Sequence, residues 1–130
     1  MLVVDASVLA PALAYDDADG ERAREAIEGE DLCAPHLLDL EITSVWRRDC
    51  ATGRVPDWRA RQAFADLADL PIVRVPHADM LPRIWELRDN VTPYDAAYVA
   101  LAEALDAPLL TADARFAAAP GPRCEFRVLR

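Results

Sequence analysis

Apolar positions along the chain follow two rhythms. Short unbroken apolar runs alternate with longer segments in which apolar residues recur every three or four positions. Leu2, Val3 and Val4 form a β-favouring run, the pattern of a strand covered on both faces, and Asp5 ends it. A helix follows from about Ser7 to Tyr15. The polar stretch Asp16 to Gly20 then leads into a second helix, Glu21 to Glu28, stopped by Gly29. Leu32, Cys33 and Ala34 read as a second strand, and Pro35-His36 opens a long helix that runs to about Thr52 and Gly53. Pro56 starts another helix, Asp57 to about Leu70, whose stripe Ala63, Phe64, Leu67 and Leu70 reads as core.

Ile72 to Val75, bracketed by Pro71 and Pro76, is a third strand. A helix from Asp79 to Asp89 is expected next, with Pro82 fitting only within its first turn. In Thr92-Pro93-Tyr94-Asp95, threonine is placed as N-cap, proline as the first helical residue and Asp95 as the third, and this helix runs to about Leu105. Pro108 to Thr111 is a fourth strand, Asp113 to Ala118 a turn or two of helix, and Cys124 to Leu129 a fifth strand. The alternation predicts an α/β fold: a mainly parallel five-stranded sheet with right-handed crossovers and helices on both faces.

With 130 residues, 53% hydrophobic and only 4 glycines, the chain fits one domain over residues 1–130 with no linker or repeat. The first residues superficially resemble a signal peptide, but no basic residue precedes them and Asp5 interrupts the run, so a cytoplasmic protein without a membrane span is expected. Three cysteines, Cys33, Cys50 and Cys124, form no CxxC pair and are expected to be free buried thiols. The net charge of −9 opposes nucleic-acid binding through the overall field. All 14 basic residues, however, are arginine, the better phosphate fork. Arg47, Arg48, Arg54, Arg59 and Arg61 could line a positive rim, although pairing with neighbouring Asp and Glu is the safer expectation for each.

Four acids fall where strands end or helices begin. Asp5 follows the first strand, Glu41 lies within the apolar arc formed by Leu37, Leu38 and Val45, Asp95 is in a helix first turn, and Asp113 follows the fourth strand. All four can reach one edge of the sheet, where carboxylates would repel one another unless protonated or bridged by a cation. Hard oxygen donors select Mg²⁺ or Mn²⁺ over zinc, and a carboxylate-held metal pair suits phosphodiester cleavage, one ion activating water and the other steadying the leaving oxygen. Ser7 and Thr111 are placed to orient Asp5 and Asp113 through their hydroxyls. Helix capping alone is the plainer reading of Asp5. His36 and His77 receive no role, and Trp46, Trp58 and Trp85 are either core, interface or base-stacking residues.

Asp5-Ala6-Ser7 after a hydrophobic start, Glu41 in the helix after Pro35, Thr92 to Ala102, and Leu110-Thr111-Ala112-Asp113, taken in that order, resemble PIN-domain ribonucleases. The likeness is to the toxin half of VapBC toxin–antitoxin modules and spans essentially the whole chain. It implies a three-layer α/β/α PIN-like fold and a Mg²⁺-dependent endoribonuclease with Asp5, Glu41, Asp95 and Asp113 as its acidic site, Mn²⁺ being able to substitute. It also implies an RNA substrate and a toxin homodimer held inactive by a small antitoxin. The apolar surface of the Pro56 to Leu70 helix independently suggests a homodimer or complex. Receiver domains and aspartyl-phosphate phosphatases need a lysine that the chain lacks, and no glycine-rich phosphate loop follows a strand. A non-catalytic binding or scaffold module is the remaining alternative.

Overall fold

In the computed structural model, which describes residues 1–130, Leu2, Val3 and Val4 are fully buried and form strand β1 (Leu2–Val4). The elements that follow are α1 (Ala6–Ala14), α2 (Ala18–Ile27), β2 (Leu32–Pro35), α3 (Leu38–Ala51), α4 (Asp57–Asp69) and β3 (Val73–Val75). After a 3-10 turn, Ala78–Met80, come α5 (Leu81–Glu86), α6 (Pro93–Leu105), β4 (Leu109–Thr111), α7 (Ala114–Ala118) and β5 (Phe126–Val128). The five strands form one all-parallel sheet in the order β3-β2-β1-β4-β5. β1 is central, with Leu2 opposite Leu32 on one side and Val4 opposite Leu110 on the other.

The crossovers from β1 to β2 and β2 to β3 step one way, whereas those from β3 to β4 and β4 to β5 step the other. Right-handed connections therefore place α1 to α4 on one face and α5 to α7 on the opposite face, giving three layers. The direction reverses between β1 and β4, which leaves a crevice beyond their carboxyl ends.

Two alanine-rich helices make the close layer packing possible. Ala6, Val8, Leu9, Ala10, Ala12 and Ala14 of α1 are buried, and so is every residue of α6 from Ala96 to Ala102. α1 is wrapped by α2, α3 and α4, and α6 lies on β1, β2 and β4. Trp46 of α3 fills the space against α1, its indole Nε1 donating to the Ala10 carbonyl at 3.1 Å. Gly20 is required where α2 leaves the preceding turn, because a Cβ there would sit 1.9 Å from the Tyr15 carbonyl oxygen.

Several local expectations need correction. Pro35 does not open the long helix: it is the last residue of β2, paired with Val75, and α3 begins only at Leu38. Proline is tolerated there because a strand's end can forgo one ladder donor. α2 starts at Ala18, earlier than Glu21, because Asp17 accepts from Gly20 N–H and acts as its N-cap. The helix expected over Asp79 to Asp89 is divided. Pro82 has no N–H to bond backward, so the 3-10 turn stops and α5 restarts with Pro82 in its first turn. Phe64 is 39% exposed, at the edge of the core, with its ring packed edge-on against Trp46. The three thiols are free, but only Cys33 is buried.

The arginine string is largely absorbed by ion pairs. Arg59 pairs with Asp16 and also donates to the Leu13 carbonyl, Arg54 reaches Asp17 and Asp19 while stacking on Tyr15, and Arg61 pairs with Asp57. Only Arg47 and Arg48 of the five make no ion pair, so the string does not form a continuous positive rim. A bidentate Arg74–Asp39 pair, 2.7 and 2.9 Å, ties β3 to the first turn of α3. Arg83 similarly joins α5 to α6 through Glu103. No helix is long and apolar enough to cross a membrane.

Candidate active site

The parallel sheet brings the carboxyl ends of β1, β2 and β4 to one edge, and each helix that follows those strands begins there. α6 runs back toward β4, so its N-terminus lies at the same edge. Asp5 is the N-cap of α1, Glu41 lies in the first turn of α3, Asp95 in the first turn of α6, and Asp113 is the N-cap of α7. All four acids thus sit at helix N-termini, where the positive end of the peptide dipoles offsets negative charge.

Asp5 is 7% exposed and fully hydrogen-bonded. Its Oδ1 accepts from Ser7 N–H at 3.1 Å and from the Ser7 hydroxyl at 2.5 Å, and its Oδ2 accepts from the Thr111 hydroxyl at 2.6 Å. Each hydroxyl is fixed in turn by a backbone donor. Ser7 Oγ accepts from Ala112 N–H at 2.9 Å, and Thr111 Oγ1 accepts from Asp113 N–H at 3.1 Å. The protons of both hydroxyls therefore point at Asp5. Burial pushes the Asp5 carboxyl up to about 6, and the charges of Asp95 and Glu41 add to this, while the two hydroxyl bonds oppose it.

Glu41 and Asp95 are half-buried and both carboxyls are raised, first by burial; Asp95 adds charge repulsion at Glu41, and Asp113 adds it at Asp95. Glu41 Oε1 accepts from the Tyr98 hydroxyl at 2.6 Å. Burial, then this bond to Glu41, hold the Tyr98 phenol protonated far above its ordinary range. Asp95 N–H donates to Thr92 Oγ1 at 3.2 Å, the N-cap contact read from the sequence. Asp113 is exposed, and its Oδ1 caps α7 by accepting from Arg115 and Phe116 N–H at 2.9 and 3.2 Å.

Capping is therefore real at Asp5 and Asp113, yet it uses only Oδ1 of each. A cap alone does not require burial, which makes Asp5 the costly choice for that task. None of the four acids takes part in any of the molecule's ion pairs. Charge repulsion among them raises the proton affinity of Asp5, Glu41 and Asp95, but no three acidic, histidine or cysteine side chains are gathered tightly enough to enclose a metal ion as they stand. In kind, the donors fit a hard divalent cation: all are oxygens, and Oε2 of Glu41 and Oδ2 of Asp113 have no hydrogen-bond donor. In spacing they are open, and side-chain rotation of the exposed Asp113 is the freedom available to close them.

Tyr98 is the contact that sequence reading passed over. It stands three residues after Asp95 on the same helix, so the two share a face, and that spacing was the available signal. Trp46 is core, whereas Trp58 and Trp85 are both 67% exposed.

The parallel sheet, its switch point and the acid-bearing helix N-termini define a nuclease-like α/β architecture, and the sequence agrees: residues 2–122 match the model of the PIN domain, and the chain belongs to that family. Within it, the chain is similar to two mycobacterial proteins of the VapC group. It is 44% identical to Ribonuclease VapC1 of Mycobacterium tuberculosis, over 98% of this chain and 97% of that protein. It is 41% identical to VapC ribonuclease Mb0985 of Mycobacterium bovis, over 99% and 98% respectively. Among solved structures, the M. tuberculosis toxin VapC20 superimposes with a TM-score of 0.72 at 18% identity, covering 91% of this chain and 94% of that one. VapBC2 from Rickettsia felis, bound to a DNA fragment from its promoter, gives 0.66 at 12% identity over 99% and 98%. At those identities the structural likeness speaks for the fold.

Proposed function

We propose that this chain is a Mg²⁺-dependent endoribonuclease and the toxin half of a type II toxin–antitoxin pair, its single domain spanning residues 1–130 and acting in the cytoplasm. The observation that carries the reading is the delivery of four carboxylates, none of them ion-paired, to the switch point of a parallel sheet by four separate helix N-termini. The names borne by its full-length VapC relatives, each a ribonuclease, support the choice of RNA as substrate.

Asp5, Glu41, Asp95 and Asp113 would hold the divalent cation, with Mn²⁺ able to serve in place of Mg²⁺. Bound there, it supplies positive charge for the phosphodiester and lowers the pKa of attacking water. The protein's own residues do the remaining work. Ser7 and Thr111 fix both oxygens of Asp5, and the helix N-termini offset part of the mutual repulsion of the carboxylates. With a net charge of −9, the chain does not draw RNA by its overall field, and its four acids would repel a phosphate at this edge unless they held a cation. The same acids suit an antitoxin that presents an arginine or other cation to them. Exposed Trp58 and Phe64 on α4, and Leu81 and Trp85 on α5, supply apolar surface for that partner or for a homodimer.

A catalytically inactive PIN-fold binding or scaffold module is the second reading, favoured by the open spacing of the four acids. Incubating the purified chain with labelled RNA in Mg²⁺, in chelator, and as Asp95→Asn separates the two. The nuclease reading expects cleavage only in the first condition. Absence of cleavage by the folded chain with either Mg²⁺ or Mn²⁺, or cleavage indifferent to chelator and to Asp95→Asn, would overturn it.

A further inference from the structure

Tyr98 is 1% exposed, set in α6 where that helix packs on β1 and β2. A phenylalanine would fill the same space without bringing a hydroxyl into the core, and burying an unsatisfied hydroxyl is costly. The hydroxyl has one hydrogen-bond partner, Glu41 Oε1, and that oxygen is the only hydrogen-bonded atom of the Glu41 side chain. The other acids at this edge are held differently. Asp5 is gripped by two hydroxyls and a backbone N–H, and Asp113 by two backbone N–H groups. Glu41 has the longest side chain of the four, makes no ion pair, and is joined to the rest of the edge by Tyr98 alone. Because Tyr98 stands one turn after Asp95, the bond ties the α3 carboxylate to the helix that carries the neighbouring acid.

We propose that Tyr98 is a positioning residue: its hydroxyl holds Glu41 beside Asp95 and directs the free Oε2 toward a shared divalent cation, as Ser7 and Thr111 hold Asp5. The proposal rests on the cation-binding reading above, and a double-mutant cycle distinguishes the failure of each. Mn²⁺ binding is measured by calorimetry in wild type, Tyr98→Phe, Glu41→Gln and the double variant, with melting curves recorded in chelator for all four. Tyr98→Phe is expected to weaken Mn²⁺ binding about 10- to 100-fold, the effect of losing a group that orients a ligand. In the Glu41→Gln background the same change should cost less than about twofold, since the hydroxyl acts through the carboxylate.

If Glu41→Gln leaves Mn²⁺ affinity unchanged, the cation-binding reading of Glu41 fails. If Glu41→Gln weakens binding but Tyr98→Phe does not, or if Tyr98→Phe costs the same in both backgrounds, the positioning role is overturned and Tyr98 is core packing. Should Tyr98→Phe not fold, wild-type tyrosine difference absorption settles the matter. Adding Mn²⁺ should shift the band of this buried phenol, and a spectrum indifferent to Mn²⁺ that nonetheless binds refutes the proposal.

Discussion

Asp5→Asn puts the electrostatics of the acidic edge to a direct test. In the folded chain the Asp5 carboxyl is pushed up to about 6 by burial, whereas in the unfolded chain it ionises at the ordinary carboxylate value of 3.8. The folded state therefore binds this proton more tightly, and stability is highest below pH 3.8, falls as the pH rises through the interval to about 6, and then levels off. The size of the fall is about 3 kcal/mol for this one group, treated as fully buried. Asparagine cannot ionise and removes the fall, but it introduces a mismatch. Nδ2 replaces the oxygen that accepts from Thr111, and that hydroxyl is already accepting from Asp113 N–H, so its proton must find another partner. A loss of about 1–2 kcal/mol is the ordinary scale for such a bond. The stability curves of the two proteins should therefore cross near pH 5. In chelator at pH 7, Asp5→Asn should be more stable by about 1–2 kcal/mol, a melting temperature higher by roughly 4–8 °C for a chain of this size. Below pH 4 the wild type should be the more stable. Adding Mg²⁺ at pH 7 should then raise the wild type by mass action, by about 2.7 kcal/mol at 100 times its Kd, and the variant far less. Urea or thermal unfolding between pH 3.5 and 8, with and without Mg²⁺, measures all of this. Parallel curves for the two proteins would show that ionising Asp5 costs the fold nothing, and the account of this edge would be wrong.

Thr111→Val deletes the oxygen that donates to Asp5 and accepts from Asp113 N–H, so the unfolding free energy should drop by about 1–3 kcal/mol and divalent-cation stabilisation should shrink with it; an unchanged urea midpoint would contradict the network. Gly20→Ala sets a helix-propensity gain of about 0.5–1 kcal/mol against overpacking of about 1–3 kcal/mol, and with the Cβ only 1.9 Å from the Tyr15 carbonyl oxygen the second wins. Its melting temperature should fall, and a rise would mean that the turn before α2 yields easily. Arg74→Ala breaks the bidentate tie between β3 and α3; because both partners are partly exposed the loss should be about 1 kcal/mol, and smaller still when measured in molar salt.

The sequence by itself determined the layered αβ pattern and the placement of the acids at element boundaries. Leu2 to Val4 is apolar on both faces and too short for anything but a covered strand, and Thr92-Pro93 can only begin a helix, so β1 and α6, with Asp5 and Asp95 at their ends, were legible from local chemistry. Tertiary structure decided what depends on partners distant in the chain. Pro35 is at home in a strand because Val75 lies beside it, and Phe64 stays at the rim because Trp46 already fills the space beneath. Asp39 and Arg74 meet across 35 residues, and Arg54 and Arg59 are drawn to the acids around the start of α2 and away from any basic rim. At the acidic edge, sequence spacing put Ser7 beside Asp5 and Thr111 beside Asp113, whereas the packed sheet turns the Thr111 hydroxyl onto Asp5, 106 residues away, and leaves Asp113 only a backbone bond to it. That Tyr98 turns its hydroxyl onto Glu41, 57 residues away, is a product of α3 and α6 packing over the same strand ends. Periodicity reports which face of an element is buried, and only the packed sheet reports which atoms that face meets.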